Sequence, residues 1–173
     1  MIIRSLVKDL KHYGEQLKDI DVEIERMYNT MGCTLTTTLT TIPGVNIITA
    51  AKLLSEIGDV RRFSSASKFA QFAAIAPLKI SSANSETTKK RKEGNRRLQS
   101  TIYFLAVQMI QKSSKGLPRN PAFRAYYERR LAEGKPTKQI LICICRRLIY
   151  IIYGMLKSKT EYRMPLLEDE KSI

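Results

Sequence analysis

Apolar residues recur three and four apart in each long segment of this chain, and no run alternates convincingly at period two. Leu98, Ile102, Leu105, Ala106 and Met109 make one such stripe; Leu141, Ile144, Leu148, Ile151 and Met155 make another. That spacing lines one face of an α-helix, so the pattern predicts an all-α fold. At 173 residues the chain is long enough for one domain with a helical extension.

Residues 1–30 read as the extension. Ile3, Leu6, Leu10, Tyr13, Leu17, Ile20, Ile24 and Met27 alternate at three and four, with charged residues between them. Four heptads of this kind predict a coiled-coil helix, self-pairing or closing on another helix of the chain, although Gly14 costs it about 1 kcal/mol. A plain amphipathic bundle helix would show the same pattern. Residues 31–157 then read as a compact helical domain, and 158–173 as a polar tail ending acidic and expected to be disordered.

Within the domain, Ile42-Pro43-Gly44-Val45-Asn46 precedes Ala50, Leu53, Leu54 and Ile57, a helical stripe closed by Gly58. Gly58 stands where a left-handed cap is expected. Leu35 and Leu39 mark a helical segment ahead of the Pro-Gly turn, so the stretch reads as a helix-hairpin-helix. Such a turn can offer backbone N–H groups at Gly44, Val45 and Asn46 to a phosphate. An ordinary packed helical corner is the competing description.

Charge bears on that choice. Thirty Lys and Arg against 16 Asp and Glu leave +14, an excess that attracts nucleic acid first and an anionic membrane surface second. The longest apolar run, 140–156, carries Arg146-Arg147 at its middle, which argues against a bilayer span. The polar start shows no secretory pattern, and Cys33, Cys143 and Cys145 lack metal-site spacing, so they read as reduced thiols of a cytoplasmic protein. One histidine, His12, leaves neither a zinc site nor a Ser-His-Asp triad. No metal ligand set is expected in this chain.

Ser64 or Ser65 can cap a helix through Ala66, Phe69, Ala70 and Ala73, ended by Pro77 and packed on the Leu53/Leu54 face. A polar serine loop follows and runs into Lys89-Lys90-Arg91-Lys92-Glu93-Gly94-Asn95-Arg96-Arg97, where six of nine residues are cationic. Alone, such a run is a solvated face. Beside a hairpin suited to phosphates, Lys89, Lys90, Arg91, Lys92, Asn95, Arg96 and Arg97 read as a phosphate-tracking loop. Asn120-Pro121 starts the next helix, Gly134-Lys135-Pro136 ends it, and Thr137 is expected to cap the last.

The order Ile42-Pro-Gly-Val, Ala-Lys-Leu-Leu-Ser-Glu-Ile-Gly-Asp, Phe69-Ala-Gln-Phe, Ala76-Pro77, serine loop, Gly94-Asn95-Arg96-Arg97-Leu98 and Asn120-Pro121-Ala-Phe-Arg-Ala-Tyr-Tyr resembles a known domain. It is the C-terminal transposase domain of the insertion-sequence one-ten type, also called DEDD or bridge-RNA-guided, transposases and recombinases. The likeness runs from about Thr41 to Leu156. It implies DNA as substrate, a structured guide RNA, and a coiled-coil link to a RuvC-like domain holding Mg2+ on four carboxylates. It also implies a serine nucleophile five residues after the proline of the Ala-Pro pair, which here is Ser82.

Two departures stand out. Ala83 occupies the position where the family pattern has glycine, and the 173 residues are expected to lack the RuvC-like half. Asp9, Asp19, Asp21 and Glu25 belong to the solvated face of the coil rather than to a metal site. The resemblance therefore implies a recombinase part that is inactive alone, oligomerising through its coil. The competing descriptions are a non-catalytic helix-hairpin-helix module and a coiled-coil adaptor with a basic surface. No groove-reading Arg, Asn or Gln pattern is recognisable.

Overall fold

A computed structural model describes residues 2–30, 38–75, 78–82, 85–89 and 94–164, the ribbon strands by their backbone. The order is α1 (Ile2–Thr30), α2 (Ile47–Ile57), a 3-10 turn (Val60–Arg62), α3 (Ala66–Phe72), β1 (Leu78–Ser82), β2 (Ser85–Lys89), α4 (Arg96–Ile110), α5 (Pro121–Ala132) and α6 (Thr137–Ser158). The packed body is all-α, as the periodicity requires. Its middle is α6, against which α3, α4, α5 and the 3-10 turn all pack, while α4 carries α2 on its other side.

The apolar stripes find each other. Leu98, Ile102, Leu105, Ala106 and Met109 of α4 are buried against Ile144, Leu148, Ile152 and neighbouring core residues. Each large side chain removed from water in this way contributes about 1.5–3 kcal/mol. Helix α6 is long and apolar enough to cross a membrane, with a mean hydropathy of 1.7 over its best window. Ten of its residues are instead buried inside the protein. Arg147 lies over the Tyr126 ring, 3.8 Å from its centroid, which accommodates half of the charge pair; Arg146 faces solvent. Cys145 is buried and its thiol is pushed up to about 12 by desolvation, consistent with an inert core thiol; Cys143 is half-buried. Cys33 and Leu35 lie outside the described residues.

Helix α1 is continuous, yet its heptad stripe has no cover. Ile3, Leu6, Leu10, Tyr13, Leu17, Ile20 and Met27 are each more than half exposed. Among its side chains only Ile24 and Tyr28, near its end, are half-buried, where it reaches α2. The alternative of closing on another helix of the same chain therefore does not hold among the described residues.

Several local expectations are corrected. The serine loop contains a two-stranded antiparallel ribbon, with Leu78 paired to Lys89, Ile80 to Thr87 and Ser82 to Ser85. Five-residue strands are too short for periodicity to register, although Thr87 and Thr88 suit extended backbone. Helix α3 stops at Phe72 rather than at Pro77. Ala74 turns into the left-handed region at φ 54, with its N–H donating to Gln71 O and that of Ile75 to Ala70 O. This is the double bond pattern that closes helix ends around glycine, here built with alanine. Helix α3 packs chiefly on α6, through Phe69 and Tyr153, rather than on α2 and its Leu53/Leu54 face. Ser65 is the cap of α3. Pro136, not Thr137, precedes α6, and no side chain caps it. Gly58 has a positive φ of 62 but ψ of −135, outside the left-handed helical region.

The start of the segment read as a tail is tied down. Tyr162 N–H donates to Thr41 Oγ1 (2.8 Å), and Asn120 Nδ2 donates to the Tyr162 hydroxyl (2.9 Å).

The ends of the ribbon segment meet at its base. Asn95 N–H donates to Phe72 O (2.8 Å), Gln99 Nε2 to Ala74 O (3.0 Å), and Gly94 sits at φ 128 against α3's last turn. A Cβ on Gly94 would lie 2.7 Å from Ala74 Cβ and 2.9 Å from Phe72 O. Gly94→Ala is therefore expected to cost about 2–4 kcal/mol, from backbone strain plus overlap. Urea denaturation of the variant checks this; an unchanged midpoint would contradict the close approach.

Candidate nucleic-acid interface

The Pro-Gly turn is held by its own backbone. Ile42 N–H donates to Leu39 O, Val45 N–H to Ile42 O (3.0 Å), and Gly44 takes φ 85. Asn46 caps α2 by accepting from Thr49 N–H (2.8 Å). Gly44 and Asn46 are exposed, but Val45 is buried and its N–H already spent. Val45 is thus a packing residue and leaves the group expected to meet phosphate. The first-turn N–H groups of Ile47 and Ile48 have no acceptor within their helix.

Beside Gly44 stands a cation that sequence reasoning missed. Arg119 Nη1 and Gln108 Oε1 each lie 3.6 Å from where a Gly44 Cβ would be. Arg119 ends the loop between α4 and α5 and its N–H donates to Gln111 O. Seventy-five residues separate Gly44 from Arg119, so only the packed fold joins them.

At the other end of α4 lies the ribbon base. Lys89 holds the pair opposite Leu78; Lys90, Arg91 and Lys92 lie outside the described residues. Asn95 is half-buried and spends its side chain within the fold. Its Oδ1 accepts from Leu98 N–H (2.9 Å) and its Nδ2 donates to Glu56 Oε2 (2.7 Å), clamping α4 to α2. Arg96 is exposed and its Nη1 donates to Gln99 Oε1 (2.8 Å). Arg97 is 88% exposed, and Glu56 Oε1 approaches it only to 3.9 Å. Arg62, also unforeseen, lays its guanidinium 4.5 Å from the Phe72 ring centroid, on the residue whose carbonyl accepts from Asn95. Arg62, Arg96 and Arg97 thus gather where the ribbon leaves the domain. Ser82 is at the far end of that ribbon, in its last pair.

The Pro-Gly turn and the ribbon base therefore sit along one helix. Arg97 and Gln108 are eleven residues apart in α4, roughly three turns and about 16 Å, and so share a face. The arrangement can hold a polyanion along α4 at two cationic ends. Among the described residues no three His, Cys, Asp or Glu side chains come together to hold a metal.

Such a fold and surface define a helical domain with a Pro-Gly turn and a pinned ribbon at the two ends of α4. The chain belongs to the transposase IS116/IS110/IS902 family, whose model matches residues 36–128, more than half of its length. It is 32% identical over 95% of its length to the insertion element IS110 43.6 kDa protein of Streptomyces coelicolor, covering 39% of that protein. It is 29% identical over 92% of its length to the pilin gene-inverting protein of Moraxella bovis, covering 49%. The insertion element IS900 42 kDa protein of Mycobacterium paratuberculosis is 26% identical over 93% of the chain and is covered to 39%. The chain spans less than half the length of these curated relatives.

The two residue types at the ribbon base should separate in stability. Asn95→Ala, which loses a helix cap and a buried hydrogen bond, is expected to cost about 1–2 kcal/mol. Arg97→Ala, at an exposed long ion pair, should cost less than about 0.5 kcal/mol. Equal losses in thermal denaturation would contradict this assignment.

Proposed function

We propose that the chain is the DNA-binding C-terminal part of an insertion-sequence recombinase, with Ser82 as its nucleophile. Ser82 Oγ attacks a DNA phosphodiester: the Oγ–P bond forms as the P–O3′ bond breaks, leaving a phosphoserine link and a free 3′-hydroxyl. The serine proton passes to a base, since an unassisted serine is a poor nucleophile near neutral pH. The observation that carries this reading is the ribbon: it closes on the domain at Gly94 and Asn95 beside Arg62, Arg96 and Arg97, with Ser82 in its end pair.

The family's divalent metal would be Mg2+ on the carboxylates of a RuvC-like domain. Among the described residues no set of His, Cys, Asp and Glu side chains fits such an ion. On this reading α1 pairs with other copies through its uncovered stripe, and target choice belongs to a guide RNA in a cytoplasmic complex. A pilin gene-inverting protein among the relatives supports recombination of DNA as the setting. Ala83, where the family pattern carries glycine, favours a second reading, a non-catalytic helix-hairpin-helix module, because alanine resists the positive φ that glycine permits.

Two measurements test the proposal. Duplex binding by the wild-type chain should weaken by about 0.9 log per log of salt for each phosphate contacted. Arg96→Gln with Arg97→Gln should lower that slope by about 2; a flat salt curve contradicts nucleic-acid binding. In an assembly supplied with a RuvC-like partner, divalent metal and DNA, Ser82→Ala should abolish the covalent protein–DNA adduct. Adducts at the wild-type level would refute the nucleophile, and no adduct from wild type would favour the non-catalytic module.

A further inference from the structure

Helix α4 buries Leu98, Ile102, Leu105, Ala106 and Met109 and carries a second stripe, with Arg97 and Phe104 exposed and Thr101 and Gln108 half-buried. These four positions fall within a narrow arc, because spacings of three and four follow the helical repeat. Phe104 is 68% exposed in the middle of it. The stripe ends on Arg97 at the ribbon base and on Gln108 beside Gly44 and Arg119. Helix α4 contains no Asp or Glu, and Glu56 approaches Arg97 only to 3.9 Å. A single exposed phenylalanine is ordinary. One standing midway between two cationic ends is the arrangement that takes a sugar-phosphate chain with a base on the ring.

We infer that this stripe seats an unpaired nucleotide strand, DNA or RNA, with a base stacked on Phe104 and phosphates near Arg97 and Arg119. The occupant is single-stranded because only an unpaired base offers its flat face to a side chain. Charge complementarity selects it over an apolar partner, since Phe104 stands between Arg97 towards one end of the stripe and Arg119 at the other. The inference rests on the nucleic-acid reading above and names the strand and the ring that meets it.

Fluorescence anisotropy of the whole purified chain with a labelled single-stranded oligonucleotide, and with a duplex of equal length, tests it. Phe104→Ala should weaken single-strand binding roughly ten-fold, with little change on duplex and an unchanged salt slope. Phe104→Trp should bind as wild type, and its indole emission should be quenched as the strand binds. Unchanged single-strand affinity in Phe104→Ala, with an unchanged thermal melt, overturns the inference while leaving the nucleic-acid reading intact. Equally, Phe104→Ala that shifts the chain to a smaller species in sedimentation, at unchanged oligonucleotide affinity, would assign the ring to a second copy and overturn it. Wild-type chain that binds neither oligonucleotide would sink the broader reading and this inference together.

Discussion

The contact on which the domain's working face depends is the approach of Gly94 to the end of α3. Two unusual backbone conformations meet there: Ala74 at φ 54 and Gly94 at φ 128. An alanine held left-handed costs about 1–2 kcal/mol, and it is placed where Asn95 N–H, Gln99 Nε2 and Gly94 all close on the same turn of chain. Strain of that kind persists only where surrounding structure over-determines it. Here Leu98, fully buried one turn into α4, and Phe69 in α3 anchor both sides to the core.

That contact explains the Gly94-Asn95-Arg96-Arg97-Leu98 run residue by residue. Glycine lets the backbones touch, asparagine caps α4 and reaches Glu56, leucine enters the core, and the arginines are left outside. The chain between Ile75 and Gly94 is thereby closed into an excursion whose base is rigid and cationic. Helix α4 then carries the same face to Gly44 and Arg119 at its other end. One continuous helix sets the distance between them, so the Pro-Gly turn and the ribbon base act as fixed points rather than as two independent loops.

Much of this was legible in the residues. Periodicity located the body's helices because each buries one face, and the Asn120-Pro121 and Gly134 signals marked α5 correctly. Gly44, Asn46, Arg96 and Arg97 are exposed, whereas Val45 is buried and Asn95 half-buried with its side chain bonded within the fold, because a polar or turn residue looks the same in sequence whether its hydrogen bonds go to a ligand or to its own fold. Arg62, Phe104 and Arg119 escaped notice for the opposite reason. Their significance is tertiary: Arg119 matters through Gly44, and Arg62 through Phe72. The end of α3 was misjudged because Pro77 is a strong stop signal, whereas an alanine at positive φ carries no signal at all.

Amide hydrogen exchange at Asn95 probes the central contact most directly. Its N–H donates to Phe72 O at 2.8 Å, between two elements rather than within one. If the pinned base holds the domain's face together, the Asn95 amide exchanges as slowly as the core amides of α4, opening only with the global unfolding of the domain. Exchange at the rate of a free loop amide would mean that the ribbon segment is not held at its base, and would contradict the account.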